Sequence, residues 1–210
     1  MDGATFRDAL VEAKADELAR LESPDFVDAV TDGERDAASV LRAAARSEHA
    51  ARETFRTWAD DESDPDVREA FDAVARQEDE HFRRVVERGT PDSRCADRAA
   101  DAFDAEDAGP MHTYLRGRED AVERIAGGMV ARPIVSLRTH ARLVAFFEGR
   151  AATTRADLFR DLRAETAAVV DDGLELLDVR CADEDWERAR MVGEYVVQLA
   201  YDDFVDALAR

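Results

Sequence analysis

A chain of 210 residues is long enough for one generous domain with a sizeable buried core. Its 49 acidic residues against 29 basic ones give a net charge of -20, which excludes nucleic acid as a partner because phosphate binding needs a basic surface. The two cysteines, Cys95 and Cys181, form no Cys-x-x-Cys pair, and no apolar run approaches the roughly 18 residues of a membrane span, so a cysteine-held metal, a disulfide framework and a membrane location are excluded.

Lysine occurs only at Lys14, and this arginine-for-lysine, acid-rich composition resembles that of proteins from salt-loving organisms. In molar salt a Debye length of about 3 Å screens the self-repulsion of such a surface, so the charge reports habitat more than chemistry. Residues 1–21 are acidic and amphipathic, without the pattern of a secretory signal, and the expected location is the cytoplasm.

Nearly every segment carries helical periodicity and none alternates long enough for a strand, so the expected class is all-α. Residues 6–21 predict a first helix with Phe6, Leu10, Ala13, Glu17 and Leu21 in register, a packing arm (1–24) that ends before Ser23-Pro24. A second helix is expected to begin near Thr31-Asp32-Gly33 and run to Asp60, the turn Asp61 to Asp64 to cap a third with Pro65 at its first position, and the two to form an antiparallel hairpin over 34–89. Residues 90–110, rich in Asp, Ala, Pro and Gly, read as a crossover to a second hairpin over 111–179. There a helix over 111–131 should end or kink at Pro133, a further stretch runs 133–148, and Thr153 or Thr154 should cap a helix over 155–179. The last helix, 183–209, carries Trp186, Ala189, Gly193, Val196, Ala200, Phe204 and Leu208, a stripe suited to packing along the body or against a second subunit of a homodimer. The whole reads as a single domain, 1–210.

Two stripes are interrupted by ionisable groups. In the second helix Ala37, Leu41, Ala44, Glu48, Ala51, Phe55 and Trp58 share one face, and in the third Val67, Ala70, Phe71, Val74, Glu78, His81 and Val85 do. A lone buried carboxylate costs several kcal/mol, so Glu48, Glu78 and His81 converging in a core ask for a compensating cation, of which a metal ion is the simplest. The bland alternatives are that Glu48 reaches out to an arginine such as Arg52, and that a Glu three before a His recurs by chance in so acidic a chain. His49 and His112 read as surface or loop residues.

The segments Glu48-His49-Ala50-Ala51-Arg52-Glu53-Thr54-Phe55 with Trp58-Ala59, and Gln77-Glu78-Asp79-Glu80-His81-Phe82, resemble the ferritin-like superfamily and within it the rubrerythrin-like branch. The resemblance covers about residues 34–179 and implies a four-helix bundle with a long crossover and a two-metal site completed by the second hairpin. Aligning Phe147 and Ala151 with Phe55 and Ala59 sets His140 opposite Glu48, with Thr139 as the alternative counterpart. Glu165 stands in the fourth helix on the stripe Leu158, Leu162, Glu165, Val169, but Ala168 occupies the position of the family's second histidine. The ligand set implied is therefore Glu48, Glu78, His81, His140 and Glu165, an oxygen-and-imidazole set suited to iron or manganese and, less distinctly, zinc.

In that family such a site reacts iron with oxygen or peroxide, and with no rubredoxin-like domain here a redox role implies an external electron donor. The rival expectation is a non-catalytic helical module that binds no cofactor, its core polar groups held by arginine or water and its function exerted through a partner or homodimer.

Overall fold

The computed structural model describes residues 1–89 and 109–210, and these are all-helical with no strand among them. Most of the crossover assigned to 90–110, with Cys95, lies outside the described residues. No helix of the described residues is long and apolar enough to cross a membrane.

Two long hairpins carry the architecture. The first joins α4 (Ala37–Asp61) to α5 (Pro65–Gly89). Asp36 caps α4 by accepting from the amides of Ala38 and Ser39, and Asp64 caps α5 by accepting from Asp66 and Val67, leaving Pro65 at the position where its missing N–H costs nothing. The start of α4 thus lies beyond Thr31-Asp32-Gly33. Asp32, with φ of 50°, and Gly33, with φ of 81°, instead close a short helix, α3 (Asp25–Thr31), which the sequence reading passed over because seven residues are too few to set a stripe. Along the first hairpin Phe55, Trp58 and Phe71 pack with ring centroids 5.3 to 5.9 Å apart and form the base of the main core.

At the N-terminus the predicted single helix is broken at Lys14 into α1 (Gly3–Ala13) and α2 (Ala15–Leu21). The lysine ammonium donates to Gln198 at 2.7 Å and Glu17 at 3.0 Å. Phe6 and Leu10 are fully buried, so the arm packs as expected, against the last two helices.

The second hairpin differs from the sequence reading where it begins. α6 (Gly109–Arg116) stops at a turn over 117–120, capped by Asp120, before α7 (Ala121–Arg124). The chain then winds through a π-helical segment, Ile125–Ala131, into α8 (Arg132–Glu148), so Pro133 begins a helix instead of ending one. In the wider winding the Arg132 amide bonds the Gly127 carbonyl, five residues back, and no donor is required of Pro133 within the preceding turn. Gly128 permits this approach, since a Cβ there would lie 2.4 Å from the Trp58 ring.

α9 (Thr153–Arg180) packs along α8 and the π segment. Its N-cap is Ala152 with no side-chain bond, so neither Thr153 nor Thr154 caps it. α10 (Asp183–Leu208) lies along the π segment, α3 and α6, burying Trp186, Ala189, Gly193, Val196 and Phe204 as its stripe predicts.

Candidate metal centre

Glu48 from α4 and Glu78 and His81 from α5 are buried at 4%, 2% and 0% exposure, each at the place its stripe requires. One donor atom from each lies within 4.8 Å of the others. His81 Nδ1 stands 3.7 Å from Glu48 Oε2 and 3.7 Å from Glu78 Oε2, too far for hydrogen bonds, and both His81 Nδ1 and Glu78 Oε2 are buried without a partner. Donors about 2.0–2.2 Å from one ion lie roughly 3–4.4 Å apart, so this set fits a shared cation with small adjustments.

Each of the three is held from behind by another group. His81 Nε2 lies 2.8 Å from Glu165 Oε2 on α9. A carboxylate only accepts, so Nε2 carries the proton and in the neutral ring Nδ1 is left with its lone pair toward Glu48 and Glu78. Glu78 Oε1 accepts from Arg132 at 2.6 Å, and Glu48 Oε1 lies 3.3 Å from His140 Nε2 on α8. Glu165 is itself clasped by Arg84 at 2.8 and 2.9 Å and is partly exposed at the helix edge, where Thr166 takes the buried position beside it. Thr139 turns its hydroxyl to the Ser136 carbonyl, so His140 and not Thr139 meets Glu48.

The charges in this cluster are mutually dependent. Burial opposes ionisation of Glu48, but His140 and His81 beside it outweigh that and hold its carboxyl well below the ordinary value. Burial likewise opposes a charged His81, and Glu48 and Glu78 overcome it, raising the imidazole from 6.5 to about 10. Partial burial opposes ionisation of Glu165, and Arg84 and His81 together outweigh it, holding its carboxyl below the ordinary value.

Arg132 is the residue that periodicity did not reveal. It sits one position off the α8 stripe and next to a proline, a pattern that reads as a solvated helix end, yet it is buried with its guanidinium 5.4 Å from the Phe55 ring. The π winding turns it inward. Arg52, offered as a partner for Glu48, instead pairs with Glu53 and Asp79, each at 2.9 Å, over the Phe82 ring.

His49 and His112 are buried, against the reading of both as surface or loop residues. His49 stands edge-on to Phe82, and burial with nearby Arg52 lowers its pKa. His112 packs its Nδ1 3.0 Å from the Thr54 hydroxyl, and burial beside Arg132 and Arg116 depresses it to about 3. Cys181 is a free thiol kept protonated, its pKa raised to about 11 by burial and Asp185.

A half-open cavity of about 400 Å³ reaches this region from between α3, α4, α6, α8 and α10, and Glu48, His112 and His140 are among its lining residues. Comparison with family models, curated proteins and solved structures finds no match to the chain.

Proposed function

We propose that the chain is a rubrerythrin-like metal-binding protein of ferritin-like architecture that holds one ion, iron or manganese, between Glu48, Glu78 and His81. The observation that carries the reading is the inward meeting of three buried donors with His81 Nδ1 and Glu78 Oε2 lacking any partner of their own. Of the five residues singled out by sequence, three then act as ligands. His140 and Glu165 orient ligands: Glu165 fixes the His81 tautomer, and His140 steadies Glu48 through the oxygen turned away from His81. Arg132 does the same for Glu78, holding Oε1 while Oε2 remains free.

When bound, an iron or manganese ion would supply a redox-active Lewis acid able to react with peroxide or oxygen, given electrons from an external donor. The residues' own work is to neutralise charge, to exclude water and to surrender one proton. His81 is protonated in the ion-free protein and must release that proton as its Nδ1 becomes a ligand. The buried Arg132 supports one ion in preference to two, since a fixed cation already faces Glu78 from the second hairpin.

A second reading is favoured by that same arginine. Arg132 and protonated His81 can balance the charges of Glu48 and Glu78 without any ion, leaving a helical interaction module with a charge-neutral polar core. Metal analysis of protein purified in high salt, beside Glu78→Ala and His81→Ala, separates the two. Stoichiometric iron or manganese, lost in both variants, supports the metal centre; an ion-free protein whose melting temperature ignores added metal and chelator supports the module.

A further inference from the structure

We infer that Arg132 sets the valence of the ion this centre accepts: its guanidinium, fixed beside Glu78, favours a divalent cation and disfavours a trivalent one. This rests on the metal reading above and adds to it the charge that the site can hold.

Two cations face the carboxylates in the ion-free protein, and they behave differently when an ion enters. His81 gives up its charge, because Nδ1 serves as a donor only after losing its proton. Arg132 cannot, since a guanidinium is not deprotonated in a protein. Nor is it free to turn toward water. Arg132 is 3% exposed, donates from Nη2 to Glu78 Oε1 at 2.6 Å and from Nε to the Gly128 carbonyl at 3.4 Å, and stands over the Phe55 ring.

The charge count follows from these groups. Two carboxylates, Glu48 and Glu78, and one guanidinium leave the protein side of the loaded centre with one net negative charge. Glu165 and Arg84 cancel each other farther out, and His140, as a neutral ring donating from Nε2 to Glu48, adds a hydrogen bond and no net charge. A divalent ion therefore leaves one uncompensated positive charge in a buried site, and a trivalent ion leaves two. Repulsion from a fixed neighbouring cation grows with the charge of the ion and is weakly screened where water is excluded, so the third charge is the one the site opposes. The field of Arg132 has an independent sign in His112 on α6, whose imidazole is depressed to about 3 by burial and next by Arg132.

Competition titrations in chelator-buffered high salt test this with Mn2+ and Ga3+, a trivalent ion that is not reduced under these conditions. They compare the wild type with Arg132→Gln, which removes the charge, and Arg132→Lys, which keeps it. The readout is the ratio of two affinities on one protein, so a loss of folding stability common to both ions cancels, and a purely structural role for Arg132 would not move it. Arg132→Gln should shift the ratio toward Ga3+ by about tenfold or more, equivalent to lowering a one-electron iron potential by about 59 mV, while Arg132→Lys should stay within about threefold of wild type. An unmoved ratio in Arg132→Gln, or a shift in Arg132→Lys as large as in Arg132→Gln, overturns the inference and leaves the metal centre standing. A wild type that binds neither ion overturns the metal reading and the inference with it. Where circular dichroism shows Arg132→Gln to be unfolded, Arg132→Met carries the same comparison.

Discussion

The two long hairpins present different chemistry to the same point. The first, α4 with α5, contributes carboxylates and an imidazole that are fully buried and partly unpartnered, whereas the second, α8 with α9, contributes groups that hold those of the first: Arg132, His140 and Glu165. What differs is how each helix meets the core. Glu48, Glu78 and His81 lie squarely on their stripes, while Glu165 stands at a stripe edge and Arg132 is turned in by the π segment. The donors thus come from one hairpin and the counter-charges that hold them from the other.

The comparison breaks most severely at the buried Arg132–Glu78 ion pair, which joins the hairpins in the core. Arg132→Leu or Glu78→Leu alone leaves an uncompensated buried charge and is expected to cost about 3–5 kcal/mol in ion-free protein, whereas the double variant should lose much less than the sum, read by denaturant unfolding. A double variant as unstable as the summed singles would mean that the pair does not act as a unit.

The division between ligand and support is sharpened by affinity. Glu78→Ala should abolish metal binding, while Glu165→Gln, which keeps the shape but weakens the hold on His81 Nε2, should reduce affinity about 10- to 100-fold, measured by competition with a chelator. Equal losses in both would place Glu165 among the ligands.

The pH dependence of ion-free stability distinguishes two buried histidines of opposite behaviour. His81, raised from 6.5 to about 10, binds its proton more tightly when folded, so its contribution is full below pH 6.5 and is lost as pH rises toward 10. His112, depressed from 6.5 to about 3, is protonated more readily when unfolded, so stability falls as pH drops from 6.5 toward 3, and the lowered Glu48 carboxyl adds to this acid limb. Stability should thus peak near pH 6.5; His81→Gln should flatten the alkaline limb and His112→Gln the acid one in thermal melts. The smallest effect is expected at the surface, where Arg160→Ala, removing the exposed pair with Glu148, should change stability by less than about 1 kcal/mol.

Much of the first hairpin was legible because its helices are long, regular and capped by Asp36 and Asp64, so a 3.6-residue period places Glu48, Glu78 and His81 correctly. The second was less so. On α8 the buried set includes Leu143 and Phe146, with Val144 only partly covered, because the winding before Arg132 rotates the helix relative to the expected stripe. His112 was read as a surface or loop residue for another reason: it follows a sequence of little periodicity, and it is the packing of α6 against α4 and α10 that encloses it.

By itself, then, the order of residues determined the helical class and which face of α4 and α5 carries acid and imidazole, since apolar periodicity and capping are local properties that each segment expresses without its neighbours. Only the assembled structure decided that Arg132 faces Glu78, that Glu165 holds the far nitrogen of His81, and that His112 lines a cavity. Those relations join residues from distant parts of the chain, and they depend on a change of helical winding that no regular repeat foretells.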